Sequence, residues 1–439
     1  MAGFTQPHLT PHSNRPPTNS TDYDVTIVGG GIVGTLMACL LQETGLKVAL
    51  LEFSATSAAA ARGQAYSISQ LSSRIFAGLG IWHKVRPQVE TYRQVDLSDA
   101  DHAGVVHFST QDTQTQTLGY VAEHKVLLAE LQAQLEQCHN VDLICPAKVI
   151  EAKFGTAMNQ LRIERDGEIF ELRSRLVIGA DGSRSFLRQA AGIRTIGWKY
   201  WQSCVVAFIR PEHSHQNIAY ERFQPEGPFA ILPLPGGICR IVWTAPKAVA
   251  DRLLQIDEAT FLDELTQRYG NQMGQLELLG ERSVFPVQLL HSRQYVKPGL
   301  ALIGDAAHCC HPVGGQGINL GIRDAAALVE VIQTALVQGE DFAQLNVLKR
   351  YQRWRMWENL VMLGFTDILD RTFSNQIPPI VWVRHLGLWA MEHIQPFKSF
   401  AIKLMLGMVG RVPQIATSEP IEPALNPPEA LAIAIESRH

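Results

Sequence analysis

Residues 22–34 read DYDVTIVGGGIVG, a β-branched apolar run that delivers the chain into three consecutive glycines. The segment behind it, IVGTLMACLLQETG, has the character of a buried helix closing on Gly45, and KVALLE then gives a second short apolar strand ending at Glu52. Strand, glycine turn, helix and strand in that order form the building unit of a doubly wound parallel sheet, so the fold expected is α/β. Gly29, Gly31 and Gly34 hold the fixed positions of G-x-G-x-x-G, and the strand before and helix after make this short pattern informative. Such glycines allow a tight turn and the close approach of a pyrophosphate, whose charge meets the helix N-terminus. Glu52 stands about 20 residues further on, where a carboxylate can accept hydrogen bonds from ribose hydroxyls. The pattern predicts a dinucleotide, but not which one.

Working outward, the chain divides by pattern. A Pro-, Ser-, Thr- and Asn-rich opening over 1–21 reads as a flexible tail. A nucleotide-binding domain is expected over 22–87, 118–195 and 288–345, interrupted by a second, substrate-facing domain over 88–117 and 196–287. The second domain carries alternating or apolar runs such as VVHFST, WQSCVVAFI, FAILPLP and ICRIVWTAP, which predict an antiparallel sheet. GYVAEHKVLLAELQAQLEQ reads as a helix returning to the first domain, and Asp166-Gly167 as the turn of a hairpin. Helices follow over 346–412, and 413–439 reads as a second tail.

Composition narrows the function. With 46% hydrophobic and 18% charged residues the chain is globular, and a net charge of -4 gives no basic excess for a nucleic-acid backbone. Seven scattered cysteines without a C-x-x-C pair suit a reducing compartment, so a cytoplasmic protein is expected. The apolar stretch IPPIVWVRHLGLWAMEHIQPFKSFAIKLMLGMVG is broken by Arg384, His385, Glu392, Lys398 and Lys403. It reads as a core helix pair or an amphipathic segment lying on a membrane surface. His308-Cys309-Cys310-His311 clusters soft and imidazole ligands, but four successive side chains point in different directions and do not readily surround a tetrahedral ion, so no metal is expected.

Two further acidic turns follow apolar strands, Gly179-Ala180-Asp181-Gly182 and Gly304-Asp305. Aspartate at a strand end is often only a turn former; two such turns in this order behind the glycine motif are more informative. The three motifs together resemble the group A flavin hydroxylases, the family of para-hydroxybenzoate hydroxylase. The run from His311 to Asp324, HPVGGQGINLGIRD, is similar to the signature of the UbiH/UbiF/VisC branch, the ubiquinone-pathway hydroxylases. The resemblance extends from about Asp22 to at least residue 400.

That resemblance implies FAD as cofactor and NAD(P)H as co-substrate, with a Rossmann-like FAD-binding domain, an inserted antiparallel-sheet domain and C-terminal helices. It implies that dioxygen is activated on reduced flavin and that one oxygen atom is placed on an aromatic ring, of a prenylated phenol in quinone synthesis. The expected cofactor contacts are Gly29, Gly31, Gly34, Glu52, Arg62, Asp181, Gly304, Asp305, Gly315, Gly317, Ile318 and Asn319. The flavin-facing loop is Pro312, Gly314, Gly315, Gln316 and Gly317. Proline walls a ring without offering a donor, the glycines let backbone N–H groups approach, and the following helix aims its positive end at them. Arg62 is assigned to the cofactor or the nicotinamide donor from the family pattern, which this chain varies by placing Gly63-Gln64 before Ala65-Tyr66-Ser67. Peripheral membrane association and membership of a quinone-synthesis complex are the partners implied. Other flavoenzymes, such as an epoxidase or a polyprenyl reductase, and a non-catalytic FAD-bound scaffold remain the rival readings.

Overall fold

The computed structural model describes residues 21–54, 64–100 and 102–417. Arg62 and the expected N-terminal tail lie outside the described residues, apart from Thr21, which opens the first strand.

The first sheet carries five parallel strands: β1 (Thr21–Val28), β2 (Val48–Leu51), β8 (Val141–Ile144), β11 (Glu168–Gly179) and β18 (Leu300–Leu302). Their order is β18-β11-β1-β2-β8, with the short β17 (Val296–Lys297) antiparallel beyond β18. Strands covered on both faces have no solvent side to alternate towards; accordingly VALL of β2 and LAL of β18 are buried at every position. Helix α1 (Ile32–Leu40) packs between α3 (His124–Leu135) and the long α7 (Gly317–Val337). β9 (Lys148–Lys153) and β10 (Asn159–Arg165) extend β11 antiparallel. The β10–β11 hairpin turns at Asp166 and Gly167, both with positive φ, as the sequence predicts.

One expected helix starts late. GYVAE forms strand β7 (Gly119–Glu123), pairing with β3 (Ala65–Ile68) and β4 (Glu90–Tyr92) in a small sheet, and the helix begins only at His124. Tyr120 and Val121 suit a pleated surface, and the partner strands that capture them come from distant parts of the chain.

The second sheet has the order β19-β16-β12-β15-β14-β13-β5-β6. Its strands are β5 (Gln94–Asp99), β6 (His102–Ser109), β12 (Thr195–Pro211), β13 (Ile218–Phe223), β14 (Phe229–Leu234), β15 (Ile238–Pro246), β16 (Leu276–Ser292) and β19 (His308–Cys309). All neighbours run antiparallel except β13 and β5. One face, with Val205, Ile231, Ile241 and Trp243, is closed by α5 (Lys247–Gln255) and α6 (Glu258–Tyr269). The other face, with Leu97, Val106 and Leu234, meets Val313 and the C-terminal helices α8 (Leu345–Phe373), α9 (Pro378–His393) and α10 (Gln395–Met405).

Helix α9 departs from the usual arrangement of charge outside and hydrocarbon inside. Its buried residues are Arg384 and Leu388, while Trp382 is 66% and Trp389 50% exposed. Arg384 is turned inward because Asp99 on β5 holds its Nε at 2.7 Å. Beyond α10, residues read as the start of a tail are docked: Gln414–Ala416 form a turn, Ala416 is completely buried, and the carbonyl of Ile415 rests where a Cβ on Gly78 would collide.

Candidate functional site

The registers Val28↔Leu51, Val28↔Gly179 and Gly179↔Leu302 align the carboxyl ends of β2, β1, β11 and β18 along one edge. Just past these ends lie Glu52, the Gly29–Gly34 turn, Asp181 and Asp305 respectively. This edge of a parallel sheet is where open α/β folds bind ligands. The four strand ends draw together residues up to 276 positions apart in sequence (305 − 29).

The turn itself has no room for side chains at three of its four glycines, Gly30 being closed by Glu52, whose Cβ would lie 2.8 Å away. A Cβ on Gly29, whose φ is 109°, would stand 2.3 Å from the carbonyl oxygen of Ala180, and one on Gly34 would stand 1.8 Å from the carbonyl oxygen of Gly29. Around Gly31, by contrast, nothing lies within 4 Å. Gly29 and Gly34 therefore serve backbone packing, and Gly31 leaves space beside the N-terminus of α1. Glu52 accepts from the Gly30 N–H at 2.6 Å and from the Ser54 N–H at 2.7 Å, which fixes its carboxylate against the turn while each oxygen retains a free lone pair.

Asp181 accepts from the Leu187 N–H at 3.1 Å through Oδ2, which ties it to α4 (Phe186–Ala190), while its Oδ1 is buried without a partner. Burial raises its carboxyl above the ordinary range, against the pull of Ser185 and Leu187. Asp305 is exposed just past the end of β18. Burial raises its carboxyl, with His308 acting in the opposite sense.

The second half of the site is the N-terminus of α7. Gly321 allows α7 to cross α1: a Cβ there would meet Val33 at 2.7 Å and the Cα of Gly304 at 3.3 Å. Neither α1 nor α7 has a side-chain cap or an acidic residue in its first turn, so the leading N–H groups of both helices are left for something else. For α7 these belong to Gly317, Ile318 and Asn319. Gly314 and Gly315 both take positive φ, and a Cβ on Gly315 would press on Ser67 at 2.9 Å. Gly317 is open, with only the Cys310 sulfur at 3.9 Å. Pro312 stands at the head of this loop.

The predicted contact Asn319 and Gln316 of the flavin-facing loop have side chains already committed elsewhere. Asn319 accepts from the Ser69 N–H and the Ser72 hydroxyl through Oδ1, and donates through Nδ2 to the carbonyls of Ser67 and Gly315. It clamps the loop to β3 and α2 (Gln70–Gly78), so what Asn319 presents to a ligand is its backbone. Gln316 donates to the carbonyls of Gly314 and Met405, bracing the loop against α10.

Asp324, also within the signature run, is a buried hub. Its Oδ2 accepts from His308 Nε2 at 2.6 Å and the Gly304 N–H at 3.1 Å, and its Oδ1 from Arg355 Nε at 2.8 Å and Asn359 at 3.0 Å. The Gly304-Asp305 turn thus hangs from α7. His311 goes elsewhere: Nδ1 accepts from the Val313 N–H, and its ring meets Tyr200 edge-on at 5.0 Å. The two histidines and two cysteines do not converge, and among the described residues no group of three or more His, Cys, Asp or Glu is arranged to hold a metal.

These observations fit a flavin dinucleotide: two uncapped helix N-termini for phosphate and ring charge, an open space beside Gly31, and acidic side chains along the strand ends for sugar and ribityl hydroxyls. The sequence profile of the FAD binding domain matches residues 22–357. The chain belongs to the FAD binding domain family. Within it, a Synechocystis protein, slr1300, is 47% identical, covering 90% of this chain and 96% of its own. The 3-demethoxyubiquinol 3-hydroxylase of Escherichia coli is 36% identical, covering 88% and 98%. The crystal structure of p-nitrophenol 4-monooxygenase PnpA from Pseudomonas putida superposes with a TM-score of 0.74 at 18% identity, covering 90% of this chain and all of that one, and so shares the fold. As a member of the FAD binding domain family the protein is an FAD-dependent monooxygenase. Sequence reasoning did not single out Asp324, Arg355 or Gly321 as parts of the site. The first two act through a partner on another element, and Gly321 matters only where two helices cross.

Proposed function

We propose that the protein hydroxylates the aromatic ring of a prenylated phenol or quinol in quinone synthesis, using NAD(P)H and dioxygen. The observation that carries the reading is the convergence of the glycine turn, Asp181, Asp305 and the uncapped α7 N-terminus at one edge, beneath the inner face of the second sheet. The 36% identity to 3-demethoxyubiquinol 3-hydroxylase over nearly all of both chains supports the substrate class.

Bound FAD, reduced by NAD(P)H, would supply the activation of dioxygen, one of whose oxygen atoms goes to the ring. The chain supplies position, charge and dryness. Glu52, Asp181 and Asp305 accept from the cofactor's hydroxyls. The N–H groups of Gly317, Ile318 and Asn319, with the dipole of α7 behind them, favour negative charge on the part of the ring system they face. Arg62 is assigned to the cofactor or nicotinamide by resemblance. The inner sheet face and the Pro312–Gly317 loop exclude bulk water from the ring's position.

A prenyl tail would enter from a membrane surface. Among the described residues no helix is long and apolar enough to cross a membrane. Trp382, Leu386, Trp389, Phe397 and Phe400 are all exposed on α9 and α10, with Lys403 beside them, a mixture suited to the headgroup level. Next to this surface a cavity of about 770 Å³ is lined by Trp198, Trp201, Ile380 and Val383 together with the polar Lys199, Asp370, Arg371 and Asn375. The reading is tested by measuring NAD(P)H consumption and product mass with and without monoprenylated phenols. A product heavier by one oxygen is expected, whereas a cofactor-binding scaffold would show no phenol-dependent turnover.

A further inference from the structure

The inner face of the second sheet carries one charged group that nothing in the fold uses. Glu221 lies on β13, opposite Ala230 of β14 and Leu97 of β5, so it shares a face with Ala219 and Phe223, which are packed into the apolar cluster around Val313 of the flavin-facing loop. The same rung continues through Val242 of β15 to Val206 of β12, and the next rung on that face holds Leu232, Arg240 and Phe208. Among the described residues Glu221 has no hydrogen-bond or ion-pair partner. A carboxylate largely surrounded by hydrocarbon without a partner is costly to desolvate, and such a group in a fold calls for a use.

Space is left beside it. Phe208, Glu221, Leu232 and Val242 come from four neighbouring strands in the middle of the sheet, and each keeps part of its surface accessible although the opposite face is closed by α5 and α6. Towards the sheet edge Leu97, Val106 and Phe108 are fully packed. The inner face therefore has an opening at its centre, walled by Phe208, Leu232 and Val242, with one carboxyl in its wall and the Arg240 guanidinium held over Phe208, facing the side from which Val313 and the glycine loop approach.

We propose that Glu221 is the residue that accepts the proton of the substrate's ring hydroxyl. The proposal rests on the phenol-hydroxylation reading and deepens it. The phenol O–H bond breaks, a carboxyl O–H bond forms on Glu221, and the electron pair stays on the ring oxygen; nothing is oxidised or reduced in this step. The phenolate is the more electron-rich ring and the better acceptor of an electrophilic oxygen atom, and the proton returns to the ring oxygen as the product forms. Burial raises the Glu221 carboxyl from its usual range to about 8, close to where a general base works best. The ionisable groups that share its surroundings are Cys204 and Arg240 on the same face, Asp370 on α8, and Asp99, which is paired with Arg384.

The experiment compares wild type, Glu221→Gln and Glu221→Asp with a monoprenylated phenol across about pH 6–9. Removing a general base costs roughly 10²–10⁴-fold, so Glu221→Gln is expected to lower kcat by at least about 100-fold while FAD content stays the same and KM moves only a few-fold. Wild-type kcat should rise with pH through about 8, the Gln variant should lose that inflection, and Asp should restore part of the rate. A second readout needs no turnover. With its carboxyl raised from 4.5 to about 8, the folded protein holds a proton the unfolded chain releases, so wild-type stability falls across that interval. The melting temperature of Glu221→Gln relative to wild type should accordingly climb between pH 5 and pH 8. Unchanged kcat in Glu221→Gln, or parallel loss of kcat, KM and flavin, overturns the role assigned to Glu221. Absence of any phenol-dependent product from the wild-type protein overturns the hydroxylation reading on which it rests.

Discussion

Nε2 of His308 lies 2.6 Å from Oδ2 of Asp324, and both side chains are sealed from water. Burial by itself would push the Asp324 carboxyl up, yet His308 and Arg355 outweigh it and hold the group well below the ordinary carboxylate range. A folded value below the unfolded one means that the stability Asp324 contributes is fully present above about pH 4 and is lost as pH falls towards the folded value. Asp324→Asn keeps the shape but leaves the buried Arg355 without its main counter-charge, for which a loss of about 3–5 kcal/mol is expected. Denaturant unfolding at neutral pH should show that drop, and the gap to wild type should narrow below about pH 4. Equal stability of the two proteins would remove the hub role.

Asp305 tests the cofactor assignment. Its side chain is exposed just past the end of β18, and no hydrogen bond from another residue occupies it among the described residues. Asp305→Ala deletes an ionised acceptor worth roughly 1.5–3 kcal/mol to a hydroxyl donor, so FAD affinity should fall about 10- to 100-fold, as read by flavin fluorescence on titration of the apoprotein. Because the side chain supports nothing else, the melting temperature of the apoprotein should hold. Unchanged flavin affinity would remove Asp305 from the site.

The glycine turn separates packing from ligand approach. Gly34→Ala forces a Cβ to within 1.8 Å of the Gly29 carbonyl oxygen and should destabilise the protein with or without FAD. Gly31→Ala meets nothing within 4 Å, so the apoprotein should fold normally and lose only flavin binding. Gly317→Val and Gly315→Val should divide in the same way: Gly317 has open space, whereas Gly315 has positive φ and Ser67 at 2.9 Å. Calorimetry of apoproteins alongside flavin content of the purified proteins distinguishes the two classes. If Gly31→Ala and Gly317→Val retain full flavin, the cofactor does not approach those backbones.

How much of this was legible beforehand depended on how far apart the interacting residues stand in the chain. The β1 strand, the Gly29–Gly34 turn and α1 are contiguous, so their pattern carries both the fold and the dinucleotide. Asp181 and Asp305 were visible as acidic turns behind apolar strands, although only the register of β11 and β18 aligns them with the glycines. Asn319 was read as a cofactor contact because of where it lies in the signature; its amide is instead consumed by Ser67, Ser69, Ser72 and Gly315, three of them from a segment some 250 positions earlier. The inversion of α9 had no local signal either. Arg384 looks like a solvent-side charge until Asp99 is known to stand opposite. Glu221 was equally silent in the sequence, since a glutamate in YERF reads as the polar face of a strand until the sheet order shows which face is which.

The final prediction concerns what approaches the outward-facing aromatics of α9. Trp382, Leu386 and Trp389 are at least 46% exposed on a helix whose arginine is turned inwards, and the cavity whose walls combine Trp198, Trp201, Ile380 and Val383 with Lys199, Asp370 and Arg371 opens next to them. If a prenyl tail occupies that cavity, each buried methylene contributes about 0.8 kcal/mol, so apparent affinity should rise steeply from a tailless phenol through one and two isoprene units and then level once the cavity is filled. Anionic lipid vesicles should retain the protein in flotation, and the double substitution Trp382→Ser, Trp389→Ser should release it while leaving turnover of a short-tailed phenol in solution close to wild type. Filling the cavity by Val383→Trp should instead abolish the gain from longer tails and leave vesicle binding intact. Equal efficiency for every tail length, together with no vesicle association, would detach this surface from the substrate and leave an aromatic hydroxylase that works on soluble phenols.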